Sequence, residues 1–204
     1  MAKLTQLIAI SELSAGQVGA IRNMVTNNLL SLAADQLKMP VANLVARDIR
    51  PYTDIKWATD DNSTDGIAST ALTTDLWEFT ADTSLPAAAG YLSCITSASR
   101  VMGDQEFMAI YGMRDGRMTI ASPTAIDITM WKVVVGNSIK AIWDTEKLNA
   151  YKDSVVGITP SAVIIPQNVQ WNIYGYMDGV GGSALSYYSL EGVIVEPRGK
   201  VVSP

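Results

Sequence analysis

The first hydrophobic pattern along the chain has the period of an α-helix and lies in residues 11–39. Its apolar side chains recur at three- and four-residue steps, which places them on one face of a helix: Val18, Ile21, Val25, Leu29 and Leu32. Ser14, followed by Gln17, has the spacing of a capping box, and Pro40 ends the periodic segment. Burying such a stripe is so favourable that it must face an apolar partner, and we expect an adjacent subunit or the inner face of a membrane. An adjacent subunit fits better, because Arg22 and Lys38 give this helix too few cations for a membrane surface.

After Pro40 the pattern changes to the period of a β-strand. Residues 168–177 alternate most clearly, with Trp171 on one face and Tyr174 and Tyr176 on the other. Such alternation is typical of a strand with one buried face. The tryptophans in the strand patterns, including Trp171, are therefore expected in the core; the others are Trp77 and Trp131.

Further segments also predict strands. Glu106–Tyr111 and Gly192–Val195 are nearly continuous apolar runs, as expected of strands buried on both faces. The remaining candidates are short β-prone runs between turn residues: Leu44–Ile49, Asp75–Asp82, Tyr91–Thr96, Ile126–Val135, Ser138–Trp143, Ala162–Ile165 and Ser186–Leu190. About ten short strands at regular spacing favour an all-β sandwich or barrel. We expect a single jelly-roll β-sandwich over residues 43–204, preceded by an N-terminal arm and amphipathic α-helix over residues 1–42.

Composition adds that much of the surface is covered by something else. The chain is 48% hydrophobic and 17% charged, against about 25% charged in a usual soluble domain. The net charge is −5, and no stretch concentrates Lys and Arg, so we expect no direct contact with nucleic acid. The single cysteine, Cys94, predicts a buried small side chain rather than a disulfide. The apolar run Leu7–Ile10 is too short for a transmembrane segment or a signal peptide.

The residues of common catalytic sites are missing from the sequence. The chain has no histidine, which removes Ser-His-Asp and Cys-His arrangements and Cys/His zinc sites. No phosphate-binding loop motif is present either. A carboxylate pair could in principle cleave glycosidic bonds, but no spacing selects a pair among Glu78, Asp82, Glu106 and Glu191. We therefore expect no enzyme activity, no catalytic residue and no cofactor.

One loop is rich in the oxygen ligands that calcium prefers. Asp60, Asp61 and Asp65 lie within the segment 60–66, together with Asn and Ser/Thr side chains. The segment is not an EF-hand, because the twelfth position counted from Asp61 is Leu72 rather than Glu. It predicts either a calcium site or a solvated loop whose Asx side chains bond their own backbone.

Tyrosines are the aromatic residues expected on the surface. Tyr174, Tyr176, Tyr187 and Tyr188 lie in alternating strands, so some of them must point outward. Exposed tyrosines mark either a protein interface or a platform for sugar stacking. Since the surface is already short of charge, we interpret these four residues, together with the helix stripe, as an assembly interface.

Three short segments resemble one family of viral proteins. They are residues 190–204 (LEGVIVEPRGKVVSP), 107–112 (FMAIYG) and 45–51 (VARDIRP). Together with the order of a leading helix, an entry strand and a sandwich, they resemble single jelly-roll major capsid proteins of membrane-containing icosahedral viruses of archaea and thermophilic bacteria (sphaerolipovirus-like). The resemblance implies jelly rolls that tile a shell over an internal lipid membrane, with no catalytic residues to carry across.

The leading functional hypothesis is a major capsid subunit that self-assembles into an icosahedral shell through lateral jelly-roll contacts. It would be located in the virion and assembled in the host cytoplasm. Its partners would be copies of itself, with a second capsid protein and an internal viral membrane left open. The alternative is a carbohydrate- or receptor-binding β-sandwich module, as in a virion attachment or decoration protein. A glycan-active enzyme is a further rival.

Overall fold

The computed structural model describes residues 6–50, 54, 67–69, 77–81, 90–93, 101–115, 128–145, 148, 156–177 and 185–200. Over these residues the chain forms a 23-residue helix, α1 (Ala15–Leu37), and two antiparallel sheets. The strands are β1 (Ile8–Ala9), β2 (Leu44–Asp48), β3 (Ile67–Ser69), β4 (Trp77–Ala81), β5 (Gly90–Ser93), β6 (Phe107–Asp115), β7 (Ile128–Val135), β8 (Ser138–Asp144), β9 (Val156–Ile165), β10 (Trp171–Met177) and β11 (Leu185–Pro197). Short 3₁₀ turns at Ile10–Glu12 and Val41–Asn43 flank α1.

The capping box predicted at the start of α1 is confirmed. The Ser14 hydroxyl accepts a hydrogen bond from the Gln17 backbone N–H at 3.2 Å, and the Gln17 side chain accepts one from the Ser14 N–H at 2.9 Å. These bonds satisfy donors that a helix start leaves without intrahelical partners. At the other end Lys38 adopts a left-handed φ of 55°, and Pro40 follows. The helix is shorter than the predicted 11–39, because Ile10–Glu12 form a 3₁₀ turn before it and the left-handed Lys38 ends it.

The strands form two sheets of different width. The seven-stranded sheet has the order β1-β9-β6-β11-β4-β3, and β2 also pairs with β11; the four-stranded sheet has the order β5-β10-β7-β8. The second half of β11 pairs with β2, from Val193 opposite Asp48 to Pro197 opposite Leu44, while residues 185–188 pair with β4. These two sheets confirm the all-β sandwich preceded by a helix.

Strand pairing also follows a nested order over the last eight strands. β7 pairs with β8, β6 with β9, β5 with β10 and β4 with β11, and all four pairs are antiparallel. The inner pair joins strands that are consecutive in sequence, and each following pair encloses the previous one. The outermost pair joins residues far apart in sequence, such as Trp77 and Tyr188.

Several strand boundaries differ from those predicted. The runs Ser186–Leu190 and Gly192–Val195 are parts of the single strand β11, which Glu191 does not interrupt. β9 begins at Val156, before the predicted Ala162, because its irregular pairing with β6 accommodates Pro160. β1 and β3 were not predicted, since strands of two or three residues are too short for an alternating pattern to be recognised.

The core lies in two layers, one on each side of the seven-stranded sheet. Between the two sheets, the largest buried side chains are Trp131 and Trp143, both 0% exposed; Trp171, predicted in the core, is also buried there. The predicted core residue Trp77 has its side chain outside the described part of the chain, and Cys94 lies outside it altogether. The second layer lies between the seven-stranded sheet and α1. The molecule therefore has three layers: helix, wide sheet and narrow sheet.

We call the outer surface of the seven-stranded sheet beneath α1 the covered face; its buried residues include Phe107, Ala109, Ile158, Val193 and Val195. Against this face α1 places Val25 (2% exposed) and Leu29 (0%). The rest of the predicted stripe is partly buried in the same cluster: Val18, Ile21 and Leu32.

Val25 and Leu29 therefore differ from the expectation that the stripe docks onto a neighbouring subunit or a membrane. Val25 and Leu29 are already buried by the chain's own sheet, so they have no surface left for a partner. The N-terminal segment also joins the sheet directly, since Ile8 pairs with Ile158. The predicted boundary at residue 42 thus separates segments that pack on each other.

Candidate binding face

The outer surface of the four-stranded sheet is the strongest candidate for a functional surface. Along β7, Trp131 and Val133 point into the core and are fully buried, whereas Lys132 between them is partly exposed. Along β10, Ile173 is fully buried, and Tyr174 and Tyr176 are partly exposed. This alternation places polar and aromatic side chains on one surface. We call it the open face and define it by Tyr91, Lys132, Tyr174 and Tyr176.

Register brings the four residues of the open face together. Tyr176 is opposite Tyr91 on β5, and Tyr174 is opposite Lys132 on β7. The Tyr91 and Tyr176 rings meet edge to face, with centroids 5.2 Å apart and planes at 63°. The ammonium of Lys132 lies 4.0 Å from the centroid of the Tyr91 ring and 4.7 Å from that of Tyr174. A cation between two aromatic faces is attracted to both and holds the rings in place.

A groove lies beside Tyr174, at the end of the sheet where β7 turns into β8. Its volume is about 370 Å³, and its walls are Val134, Gly136, Asn137, Gln170, Trp171, Asn172 and Tyr174. The turn needs a left-handed residue, which Gly136 supplies with a φ of 57°. The Gly136 N–H donates to the Gln170 carbonyl at 2.7 Å, so the turn is fastened to the segment that leads into β10.

The carboxamide of Asn172 is built into the groove wall. Asn172 is 8% exposed, although alternation along β10 places it on the outward side. Its Oδ1 accepts a hydrogen bond from the Ile173 N–H at 2.9 Å. The groove thus combines one buried carboxamide with the exposed carboxamides of Asn137 and Gln170.

In the seven-stranded sheet an ion network fixes the turn after β2. The Arg47 guanidinium binds both oxygens of Asp54, at 2.6 and 2.9 Å, and Oε1 of Glu196 at 2.8 Å. Asp54 also accepts a hydrogen bond from the Arg50 N–H at 2.6 Å. Burial alone would lower the pKa of Arg47, but the bonds and charges of Asp54 and Glu196 outweigh it and raise the pKa. Three carboxylate oxygens thus converge on one arginine, which ties the turn after β2 to β11.

A second charged cluster lies at the edge of the covered face. Arg22 of α1 binds both oxygens of Asp48 on β2, at 2.7 and 2.9 Å, and Glu191 lies 3.8 Å from the Arg114 Nε. Burial raises the pKa of Glu191, the positive charge of Arg114 opposes that shift, and Asp48 adds to it. Burial also raises the pKa of Tyr111. The negative charges of Glu191 and Asp48 add to that shift, and Arg22 opposes it.

The two described carboxylates that were candidates for glycoside cleavage, Glu106 and Glu191, pair with different cations. Glu106 pairs with Lys200 at 3.2 Å, whereas Glu191 lies near Arg114. Asp82 lies outside the described residues, as does the side chain of Glu78.

The remaining predicted site residues fall outside the part of the chain that can be described. Asp60, Asp61 and Asp65 lie outside the described residues, and so do the side chains of Tyr187 and Tyr188. Among the described residues no group of three or more Cys, Asp and Glu side chains is placed to hold a metal ion. Nor does any helix in the described ranges combine the length and apolar character that crossing a bilayer requires.

Comparisons with models of protein families, with curated proteins and with solved structures found no match to this chain.

Proposed function

We propose that β4–β11 form a jelly roll. Such a fold arises when one long antiparallel hairpin of four strand pairs is rolled up, so that alternate pairs come to lie in two facing sheets. The nested pairing of β7 with β8, β6 with β9, β5 with β10 and β4 with β11 supports this topology. So does the division of the pairs, since β4-β11 and β6-β9 lie in the wide sheet and the other two in the narrow one.

We further propose that the chain is a viral capsid subunit that assembles with copies of itself into a closed shell. The single observation that carries this proposal is the nested strand pairing, because jelly rolls are typical of capsid proteins, although lectins and cupins share them. A low charged fraction of 17% supports extensive contact with other copies. The proposed location is the virion, with a second capsid protein or an internal membrane as further partners and no direct contact with nucleic acid.

The open face is the surface that we propose for lateral contact. The covered face is occupied by α1. The outer surface of the narrow sheet carries no such element among the described residues, and there Tyr91 is exposed and Tyr176 partly exposed. Tyrosine is enriched in interfaces because it offers a large apolar ring and a polar end at low entropic cost. Repetition of many modest contacts would stabilise a shell without any single tight site.

The test measures native mass by light scattering after size exclusion, over a range of protein concentration and salt, with electron microscopy of the largest species. We expect concentration-dependent oligomers, and we expect the double change Tyr91→Ser and Tyr176→Ser to reduce them to monomer. The matched control is Met24→Ser, which changes an equally exposed apolar residue (41%) on the outer side of α1. A monomer at every concentration, or equal loss of assembly in the control, would contradict the proposal.

A further inference from the structure

We propose that the groove beside Tyr174 binds a neutral saccharide. The groove shares Tyr174 with the open face but otherwise lies at the β7–β8 turn, whereas Tyr91 and Tyr176 lie toward the other end of β10. Its volume of about 370 Å³ lies within the range of small-molecule sites, roughly 300–1,000 Å³.

The chemistry of the walls selects the class of ligand. The polar side chains of the groove are the carboxamides of Asn137, Gln170 and Asn172 and the phenol of Tyr174, and none of the lining side chains carries a charge. A carboxamide both donates and accepts hydrogen bonds, as does a sugar hydroxyl, so each can match the other in either direction. A phosphate or carboxylate ligand would lose its hydration without gaining a cation among the lining residues.

An aromatic wall completes the match to a saccharide. One side of a sugar ring presents mainly C–H groups, which pack on the apolar body of a tyrosine while its hydroxyl stays polar. Tyr174 borders the groove, and the ammonium of Lys132 lies 4.7 Å from its ring centroid. This contact limits the rotation of the ring before any ligand arrives.

The frame of the groove is also fixed in advance. The hydrogen bond from Gly136 to the Gln170 carbonyl, at 2.7 Å, ties the turn to the start of β10. Gln170 is further held by an antiparallel bridge to Val101. A ligand therefore binds without paying to order the backbone around it, which favours affinity from a small number of polar contacts.

The experiment is ligand-observed NMR of the full chain with neutral probes, followed by titration calorimetry of those that bind. The probes are methyl glycosides of glucose, galactose, mannose and N-acetylglucosamine, together with lactose and maltotriose; glucose 6-phosphate is the anionic comparison. We expect dissociation constants on the order of millimolar for at least one neutral probe. We also expect glucose 6-phosphate to bind less tightly than its neutral counterpart.

Variants distinguish the groove from the rest of the surface. Asn137→Ala and Gln170→Ala remove exposed carboxamides without touching the core, and each should weaken binding about tenfold. Asn28→Ala removes an exposed carboxamide from α1 and should leave binding unchanged. The double change Tyr91→Ser and Tyr176→Ser should abolish oligomers while binding persists, which separates this proposal from that of assembly.

Three results would overturn the proposal. One is the absence of binding by every neutral probe at concentrations up to about 10 mM. Another is equal binding by the wild-type chain and by the variant that carries both Asn137→Ala and Gln170→Ala. The third is tighter binding of glucose 6-phosphate than of methyl glucoside.

Discussion

The two sheets differ in what their outer surfaces carry. Strands beneath the covered face are apolar at consecutive positions. On β6, Phe107 packs toward α1 and Met108 toward the narrow sheet, and both are buried. On the open face, the outward positions of β10 are polar or aromatic, and on β7 Lys132 lies between two fully buried residues. The outward residues of a strand therefore reflect what packs on them. Uninterrupted apolar runs indicate a second buried surface, and alternation indicates a surface left for solvent or a partner.

The largest expected effect comes from breaking the contact between α1 and the covered face. Leu29→Ala should lower the free energy of unfolding by about 3 kcal/mol, because it opens a cavity in a fully buried site. Met24→Ala on the exposed side of the same helix should change it by less than about 0.5 kcal/mol. Urea denaturation at two protein concentrations measures both. If the loss in Leu29→Ala depends on protein concentration, the leucine packs on another subunit instead.

A second change tests how closely the strands under the helix approach each other. A Cβ added at Gly112 would meet the Gly157 carbonyl oxygen and lie 3.1 Å from the Ile158 Cα. Backbone cannot yield as a side-chain end can, so Gly112→Ala should cost about 2 kcal/mol. Gly199→Ala is the matched control, since a Cβ there meets nothing within 4 Å. Equal stability of the two variants in the same denaturation assay would show that β6 and β9 lie farther apart.

On the open face, the expected effect on stability is smaller. Lys132→Gln removes the ammonium between Tyr91 and Tyr174 and should cost at most about 1 kcal/mol. Lys140→Gln, at an exposed position of β8 in the same sheet, serves as the control and should stay within about 0.5 kcal/mol. A loss of stability in Lys132→Gln as large as that in Leu29→Ala would show that the open face contributes as much to the free energy of unfolding as the covered face.

The smallest effect is a pH dependence at the edge of the covered face. Burial raises the pKa of Glu191 in the folded state above its ordinary value of 4.5. The folded chain therefore holds this proton more tightly than the unfolded chain, so the contribution of Glu191 to stability falls as pH rises from 4.5 through the folded pKa. Glu191→Gln removes that fall, and its advantage over the wild type should grow across this window and then level off.

Urea denaturation at a series of pH values measures this effect, and repeating it with Arg114→Gln sharpens the test. Arg114 lowers the pKa of Glu191, so its loss should raise that pKa further and extend the fall in stability to higher pH. If the stability of the wild type instead rises with pH in this window, relative to that of Glu191→Gln, the carboxylate makes a favourable ion pair and the prediction is wrong.

Local patterns were sufficient for the helix start and for most strands. The capping box at Ser14 and the apolar run of β6 each depend on neighbours in sequence, and both are confirmed. The surface that receives α1 could not be predicted in the same way. The stripe shows that Val25 and Leu29 must be buried, but the pattern is the same whether the partner is the chain's own sheet or another subunit.

The groove also has no local signal in the sequence. Asn137 and Gln170 come together only because β10 pairs with β7 and because the turn at Gly136 bonds to the backbone before β10. The Arg47 network is similar, since Arg47 and Glu196 meet through the pairing of β2 with β11. In each case the residues are of types common on protein surfaces, and only the long-range strand register brings them into one site.

The central position of β11 has a consequence for how the chain folds during synthesis. β11 pairs with β4 and β2 along one edge and with β6 along the other, although it follows all of them in sequence. Until the ribosome has released residues 185–197, these three strands expose backbone edges that await a partner. Pairing across so many residues is slow, and unpaired edges invite association between nascent chains. Folding is thus expected to benefit from a chaperone that shields β6 until β11 has been synthesised.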